Sequence, residues 1–196
     1  MTKRAFDVAV SGVVLALLWP VLVVIAVLVR LDTPGPALFR QERVGLGGRT
    51  FRIHKFRTLR VGPAGAQNSP AGDTRGTRVG AVLRRTKLDE LPQLLDVFRG
   101  TMSLVGPRPE VPRYAALWPV EYRDGILSVR PGITDPASVA FRDEPERLAA
   151  VDDPEAFYVS VLLPEKARMY AEYVQTQSFA GDLRILARTA VAVVMA

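Results

Sequence analysis

The sequence predicts a helix-rich mixed α/β fold whose N-terminus enters a bilayer, and three observations carry that prediction. Val8 to Val29 is almost wholly apolar. Ala37–Val44 and Thr50–Phe56 read as two short strands flanking Gly45-Leu-Gly-Gly48, a β-hairpin with a four-residue loop. Apolar residues then recur at helical spacing after Pro92, across Tyr158–Val174 and from Asp182 onward.

The apolar run comes first. As one straight helix its 22 residues would reach about 33 Å, against a hydrocarbon core of about 30 Å. It is apolar on every face, which argues against a soluble core helix. Lys3 and Arg4 fit a signal peptide, but Arg30 follows with no small-residue cleavage site. A kinked spanning helix and a re-entrant one remain. Pro20, after Trp19, removes one backbone donor and divides the run into arms of about 12 and 9 residues, roughly 18 and 14 Å. Neither arm crosses alone. Lys3 and Arg4 precede the run, while Arg30, Arg40, Arg43, Arg49 and Arg52 follow it, so positive charge at both ends favours a cytoplasmic location for both. We divide the chain into a membrane segment, 1–32, with its break at Trp19-Pro20, and a cytoplasmic domain, 33–196.

Asp32-Thr-Pro-Gly-Pro36 is turn chemistry that ends the segment. On the second strand Phe51, Ile53 and Lys55 share a face, which sets Lys55 at the end of an apolar surface, either as a surface lysine or as a phosphate ligand. His54 reads as a polar strand residue. Residues 61–80, rich in Gly, Pro, Ser, Asn and Asp, read as a mobile loop and a candidate lid.

The stretch Arg84-Arg-Thr-Lys-Leu-Asp-Glu-Leu-Pro-Gln-Leu-Leu-Asp96 sets Asp89 and Glu90 side by side, downstream of Arg84, Arg85 and Lys87. Pro92 and the leucines after it begin an amphipathic helix, so both carboxylates fall at or before a helix N-terminus, which favours their ionised form. They can serve as nucleophile or as ligands of a hard cation such as Mg²⁺, and the arginines suit a phosphate. The competing reading is a capping box formed by Thr86 and Asp89. Further on, Gly100-Thr-Met-Ser-Leu-Val-Gly-Pro-Arg-Pro109 is a proline-framed loop that restricts Arg108, and Gly106 within it permits an unusual backbone angle or a close approach. Arg130-Pro-Gly-Ile-Thr134 forms a second such turn, with Arg142 shortly after it.

Composition narrows the chemistry. The chain has 196 residues and a net charge of +6, which implies an anionic partner. It contains no cysteine and one histidine, which excludes disulfides, thiolate metal sites and multi-histidine centres. No nucleotide-phosphate loop is present, since Gly45-Leu-Gly-Gly48 lacks the strand–loop–helix context. Glu144–Asp153 reads as solvated, and Asp182–Ala196 as either an interfacial amphipathic helix or a core helix.

The residues also resemble a known family. Gln41-Glu-Arg-Val-Gly45, Lys55-Phe-Arg57, Leu88-Asp-Glu-Leu-Pro-Gln-Leu94, Met102-Ser-Leu-Val-Gly-Pro-Arg-Pro109 and Arg130-Pro-Gly-Ile-Thr134 are similar to motifs of the bacterial sugar transferases, specifically small monotopic phosphoglycosyl transferases. The resemblance favours the re-entrant reading. It implies transfer of a sugar 1-phosphate from a UDP-sugar to polyprenyl phosphate such as undecaprenyl phosphate, with release of UMP, in glycoconjugate or exopolysaccharide assembly on the cytoplasmic face of the bacterial inner membrane. It further implies Mg²⁺ as cofactor and an Asp89-Glu90 dyad, with Asp89 as covalent nucleophile and both carboxylates near the metal. Lys55, Arg84, Arg108 and Arg142 match phosphate-binding positions. No nucleic-acid partner is implied, and the oligomeric state stays open, a homodimer included. The alternatives are direct displacement with Asp89 as base, and a membrane-tethered anion-binding protein without chemistry. The chain departs from the family pattern at Trp19, where serine is common, at Asp135-Pro-Ala-Ser-Val-Ala-Phe-Arg142, and at Tyr170, where aspartate is common.

Overall fold

Burial sorts this chain around one long apolar helix. In the computed structural model, which describes residues 2–60, 75–141 and 143–194, α1 runs Thr2–Asp32 with Pro20 inside it. The expected two arms are therefore one uninterrupted helix. Proline costs it a donor, yet an apolar helix tolerates that loss when the remaining ladder bonds hold. Trp19 and Pro20 are exposed, as are most of residues 16–28.

The two ends of α1 are not free. At the start, Arg4 donates to the carbonyls of Val97 and Phe98 (2.7 and 3.0 Å). Buried Asp7 accepts from the Ser103 hydroxyl (2.8 Å) and the Leu104 N–H (3.2 Å). At the far end, buried Arg57 donates to Pro36 O, Thr33 Oγ1, Pro34 O, Val29 O and Thr33 O, at 2.7 to 3.3 Å. These bonds satisfy carbonyls that the end of a helix leaves without partners. Both ends thus pack on the remainder of the chain.

β1 (Leu38–Val44) and β2 (Thr50–Phe56) form the expected antiparallel hairpin, with Leu38 opposite Phe56 and Val44 opposite Thr50. A 3₁₀ turn, Leu46–Gly48, closes it, and Gly47 and Gly48 adopt φ of 64° and 74°, which glycine enters without strain. The loop expectation for 61–80 needs correction at its end. Residues 61–74 lie outside the described residues, but α2 (Arg78–Arg85) already begins at Arg78. Thr77 caps it by accepting from Gly80 N, and Asp32 accepts from Val79 N, so side-chain capping overrides the local glycine content. The first turn of α2 also packs against β2's extension: a Cβ on Gly80 would sit 2.3 Å from Thr58 O.

A 3₁₀ turn, Leu88–Glu90, leads to α3 (Gln93–Arg99). β3 (Ser103–Val105) follows, then α4 (Pro112–Ala115), α5 (Val120–Leu127) and β4 (Gly132–Thr134). β3 and β4 pair in parallel, with Ser103 beside Gly132 and Val105 beside Thr134. α6 (Pro136–Ala140), α7 (Glu144–Ala149), α8 (Pro154–Phe157), α9 (Leu163–Thr176) and α10 (Phe179–Val194) complete the chain. A π turn at Tyr158–Leu162 joins α8 to α9. The acidic stretch 144–153 is not wholly solvated: Leu148 is buried and Glu144 pairs with buried Lys166. One face of α10, with Asp182, Ile185, Leu186 and Thr189, packs inward, and Leu183 and Val191 face out.

Three apolar clusters hold these elements. Tyr114, Trp118, Leu162, Leu163 and Tyr170 build the largest. Ile53, Leu94, Val97, Met102 and Val105 build the second, onto which Phe6, Val10 and Val14 of α1 pack. Ile25, Val29, Phe56 and Leu83 form the third, under the far end of α1.

Candidate active site

Lys87 carries the only positive φ among the described non-glycine residues, 57°. This left-handed residue costs roughly 1 kcal/mol or more and turns the chain sharply between α2 and the Leu88–Glu90 turn. The sharp turn delivers Asp89 and Glu90 inward, against β2 and the loop after β3. Thr86 takes no part in a capping box. Its hydroxyl donates back to Val82 O (2.9 Å), and it ends α2 instead.

Glu90 receives two cations on one oxygen. Lys55 Nζ lies 2.7 Å and Arg108 Nη2 2.5 Å from its Oε1. Burial pushes the Glu90 carboxyl up, but Arg108 and Lys55 outweigh burial and hold it well below the usual carboxylate range. Arg108 is raised in turn, chiefly by Glu90. Burial draws the Lys55 ammonium down, against the pull of Glu90. Asp89 differs. It is 8% exposed, and its carboxylate makes no hydrogen bond or ion pair among the described residues. Burial raises its pKa, opposed mainly by Lys55. A buried carboxylate without donors is a costly arrangement, and reactive groups are where folds retain such cost.

Arg108 is positioned from behind. Arg43 Nη1 donates to Pro109 O (3.0 Å), and Val44 N donates to Glu110 O (2.8 Å). The Tyr158 hydroxyl donates to Glu110 Oε1 at 2.5 Å. Gly106 N donates to Thr134 O, and Gly132 N to Pro107 O. Gly106 serves close approach to this neighbouring backbone, since a Cβ there would meet Arg130 O at 2.4 Å. Asp135, fully buried, follows Thr134 and caps α6 through Ser138. Burial raises its pKa, and the charge of Arg108 is among the influences that lower it.

Lys55, Asp89, Glu90 and Arg108 therefore converge. Arg84 stands at the end of α2, half-buried, and its guanidinium makes no hydrogen bond or ion pair among the described residues, which leaves it available. Arg142 lies outside the described residues. Arg43, Glu110 and Asp135 were given no site role by the motif reading, although Arg43 lies inside one of its motifs. Glu110 was recoverable from its place beside Pro109 and Asp135 from its N-cap spacing to Ser138, whereas Arg43 depends on a bond across the fold. His54 is locked by Asp96, which accepts from its backbone N–H (3.0 Å) and meets its Nδ1 (2.7 Å), and it stands apart from the acidic pair.

A sequence profile described as bacterial sugar transferase matches residues 1–196. The chain belongs to the bacterial sugar transferase family. Its relatives include a UDP-glucose:undecaprenyl-phosphate glucose-1-phosphate transferase of Caulobacter vibrioides, 40% identical over 96% of this chain and 68% of the relative. Proteins of the same name from Xanthomonas campestris and Escherichia coli are 38% and 35% identical, over 98% and 95% of this chain. This bacterial sugar transferase spans only 39% of the length of each of those two.

Proposed function

We propose that this chain transfers a sugar 1-phosphate from a UDP-sugar to polyprenyl phosphate such as undecaprenyl phosphate, releasing UMP, through a covalent intermediate on Asp89. The observation that carries the reading is the contrast within the pair: Glu90 is saturated by cations on Oε1, while buried Asp89 is uncommitted. An Asp89 oxygen bonds to the sugar-bearing phosphorus, and the bond from that phosphorus to the bridging oxygen breaks, with its electron pair leaving on UMP. An oxygen of the polyprenyl phosphate then bonds to the same phosphorus and returns the carboxylate to Asp89. Splitting the transfer lets a soluble and a lipid substrate use one site in turn. Lys55 and Arg108 hold charge beside the reacting phosphate, and the unpaired Arg84 is free to bind its oxygens. Arg142 completes the set proposed for phosphate binding.

The pair also suits Mg²⁺. Glu90 keeps Oε2 free and Asp89 keeps both oxygens, and a hard cation held by one or two carboxylates plus substrate phosphates needs no further protein ligand. When bound, it would neutralise charge on the diphosphate.

For the membrane, we read α1 as inserted from one side without crossing. Arg4 and Arg57 tie its two ends to the same folded body, which leaves the exposed stretch 16–28 to face lipid. That body, with an interfacial α10, then sits on the cytoplasmic face of the inner membrane. The test is UMP release from UDP-sugars with Mg²⁺ and no lipid acceptor. We expect about one UMP per enzyme; release only with acceptor present would shift the assignment to direct displacement with Asp89 as base.

A further inference from the structure

A second polar cleft lies apart from the acidic pair. It has a volume of about 310 Å³, within the size range of small-ligand sites, and its wall includes Lys3, Arg4, Ser128, Arg130 and Gln177. None of Lys55, Asp89, Glu90 or Arg108 lines it.

The charges in its wall are unequally used. Lys3 is spent on Asp182, and Asp7 on Ser103 and Leu104. Arg4 and Arg130 meet carbonyls alone. Arg4 donates to Val97 O and Phe98 O, and Arg130 Nε donates to Gly100 O at 2.8 Å. Those three bonds cap the C-terminal end of α3, a sufficient structural use for arginine. They leave most of the ten N–H groups of two guanidiniums without partners, and neither charge meets a carboxylate among the described residues. Gly100, at φ 94°, lets Arg4 come close, since a Cβ there would lie 3.2 Å from Arg4 Nη2, and Arg130 meets the carbonyl of the same residue. Two uncompensated guanidiniums share this cleft with Ser128, whose hydroxyl donates to Gly125 O and keeps its oxygen as an acceptor, and together they form a receptor for a phosphate and its hydroxyl-bearing substituent.

The position selects which phosphate. Arg4 stands at the head of the apolar helix, and Phe6, just beyond it, packs edge-on against Phe179 at the start of α10 (5.2 Å between centroids). We propose that this cleft receives the headgroup phosphate of an anionic membrane lipid, distinct from the transferred substrate, and so fixes how the protein sits on the bilayer. The proposal rests on the reading that α1 is seated in lipid.

Binding of the full chain to phosphatidylcholine vesicles, with and without about 30% phosphatidylglycerol, tests it. We expect wild type to bind the anionic vesicles at least about fivefold more tightly. R130Q and R130K should both lose most of that preference, with unchanged binding to phosphatidylcholine alone and a melting temperature lowered only slightly, by loss of the Gly100 cap. A lysine variant that keeps the preference would replace a built site with diffuse charge and overturn the proposal, as would equal binding of wild type to both vesicles. If inorganic phosphate raises the melting temperature of wild type but not of R130Q, while R130Q keeps its vesicle preference, the occupant is a soluble phosphate and the lipid assignment falls. Binding to neither vesicle would instead remove the membrane reading on which the proposal stands.

Discussion

Glu90 spends one oxygen on two cations, and Asp89 spends neither of its own. The asymmetry predicts opposite side effects from two inactivating substitutions. Asp89→Asn should abolish UMP release yet stabilise the protein. The Asp89 carboxyl titrates above its ordinary 3.8 because burial disfavours the charged form. Stability is therefore full below the unfolded value and is lost as pH rises through the folded one. At pH 7 Asp89→Asn should melt roughly 2–4 °C higher, for a gain on the order of 1 kcal/mol, and the gap should close toward acid. Glu90→Gln should instead lose activity and melt lower, because Lys55 and Arg108 then lose a buried counter-charge. In the metal-free protein the raised Asp89 value places the pH at which the Asp89→Asn gap begins to close above the ordinary aspartate range. Lys87→Met should move it higher still, since Lys87 is among the charges that lower Asp89. The acidic pair was legible in the sequence because its two members are adjacent. Asp96 was not, because it resembles a helix-surface acid until its partner His54 is known.

At the scale of elements, the hairpin and α3 were readable from alternation, glycine and proline. β3 and β4 were not, because three-residue strands carry no period of their own and form only by pairing. The continuity of α1 through Pro20 was also hidden, since one lost donor marks a break only when nothing else holds the ladder. What anchors α1 at its end is Arg57. Arg57→Met should leave four carbonyls short of a donor, two of them in buried bonds, at about 3 kcal/mol, and lower the melting temperature by about 6–12 °C. Arg57→Lys should not restore it, because three donors on a point charge cannot replace five in a planar fork. Thermal denaturation in detergent reads both.

For the whole molecule, the charge of +6, the apolar run and the ordered motifs were enough to point to a lipid surface and a phosphate substrate. The way the two ends of α1 return to one body was not, since that depends on bonds spanning most of the chain. The absence of cysteine allows a clean check. Cysteines introduced at Thr2 and Leu31 should both react with an impermeant reagent from the cytoplasmic side alone; one labelled from each side would mean that α1 crosses. Trp118→Phe would leave exposed Trp19 as sole tryptophan, and its fluorescence should be quenched by brominated lipid.

Lys3 and Asp182 clasp across 179 positions. A nascent chain has made α1 long before residue 182 leaves the ribosome, so if α1 is seated in lipid as proposed, it can find its place there while that clasp is still open. On that reading insertion precedes closure, and α10, made far later than α1, acts as the latch between them.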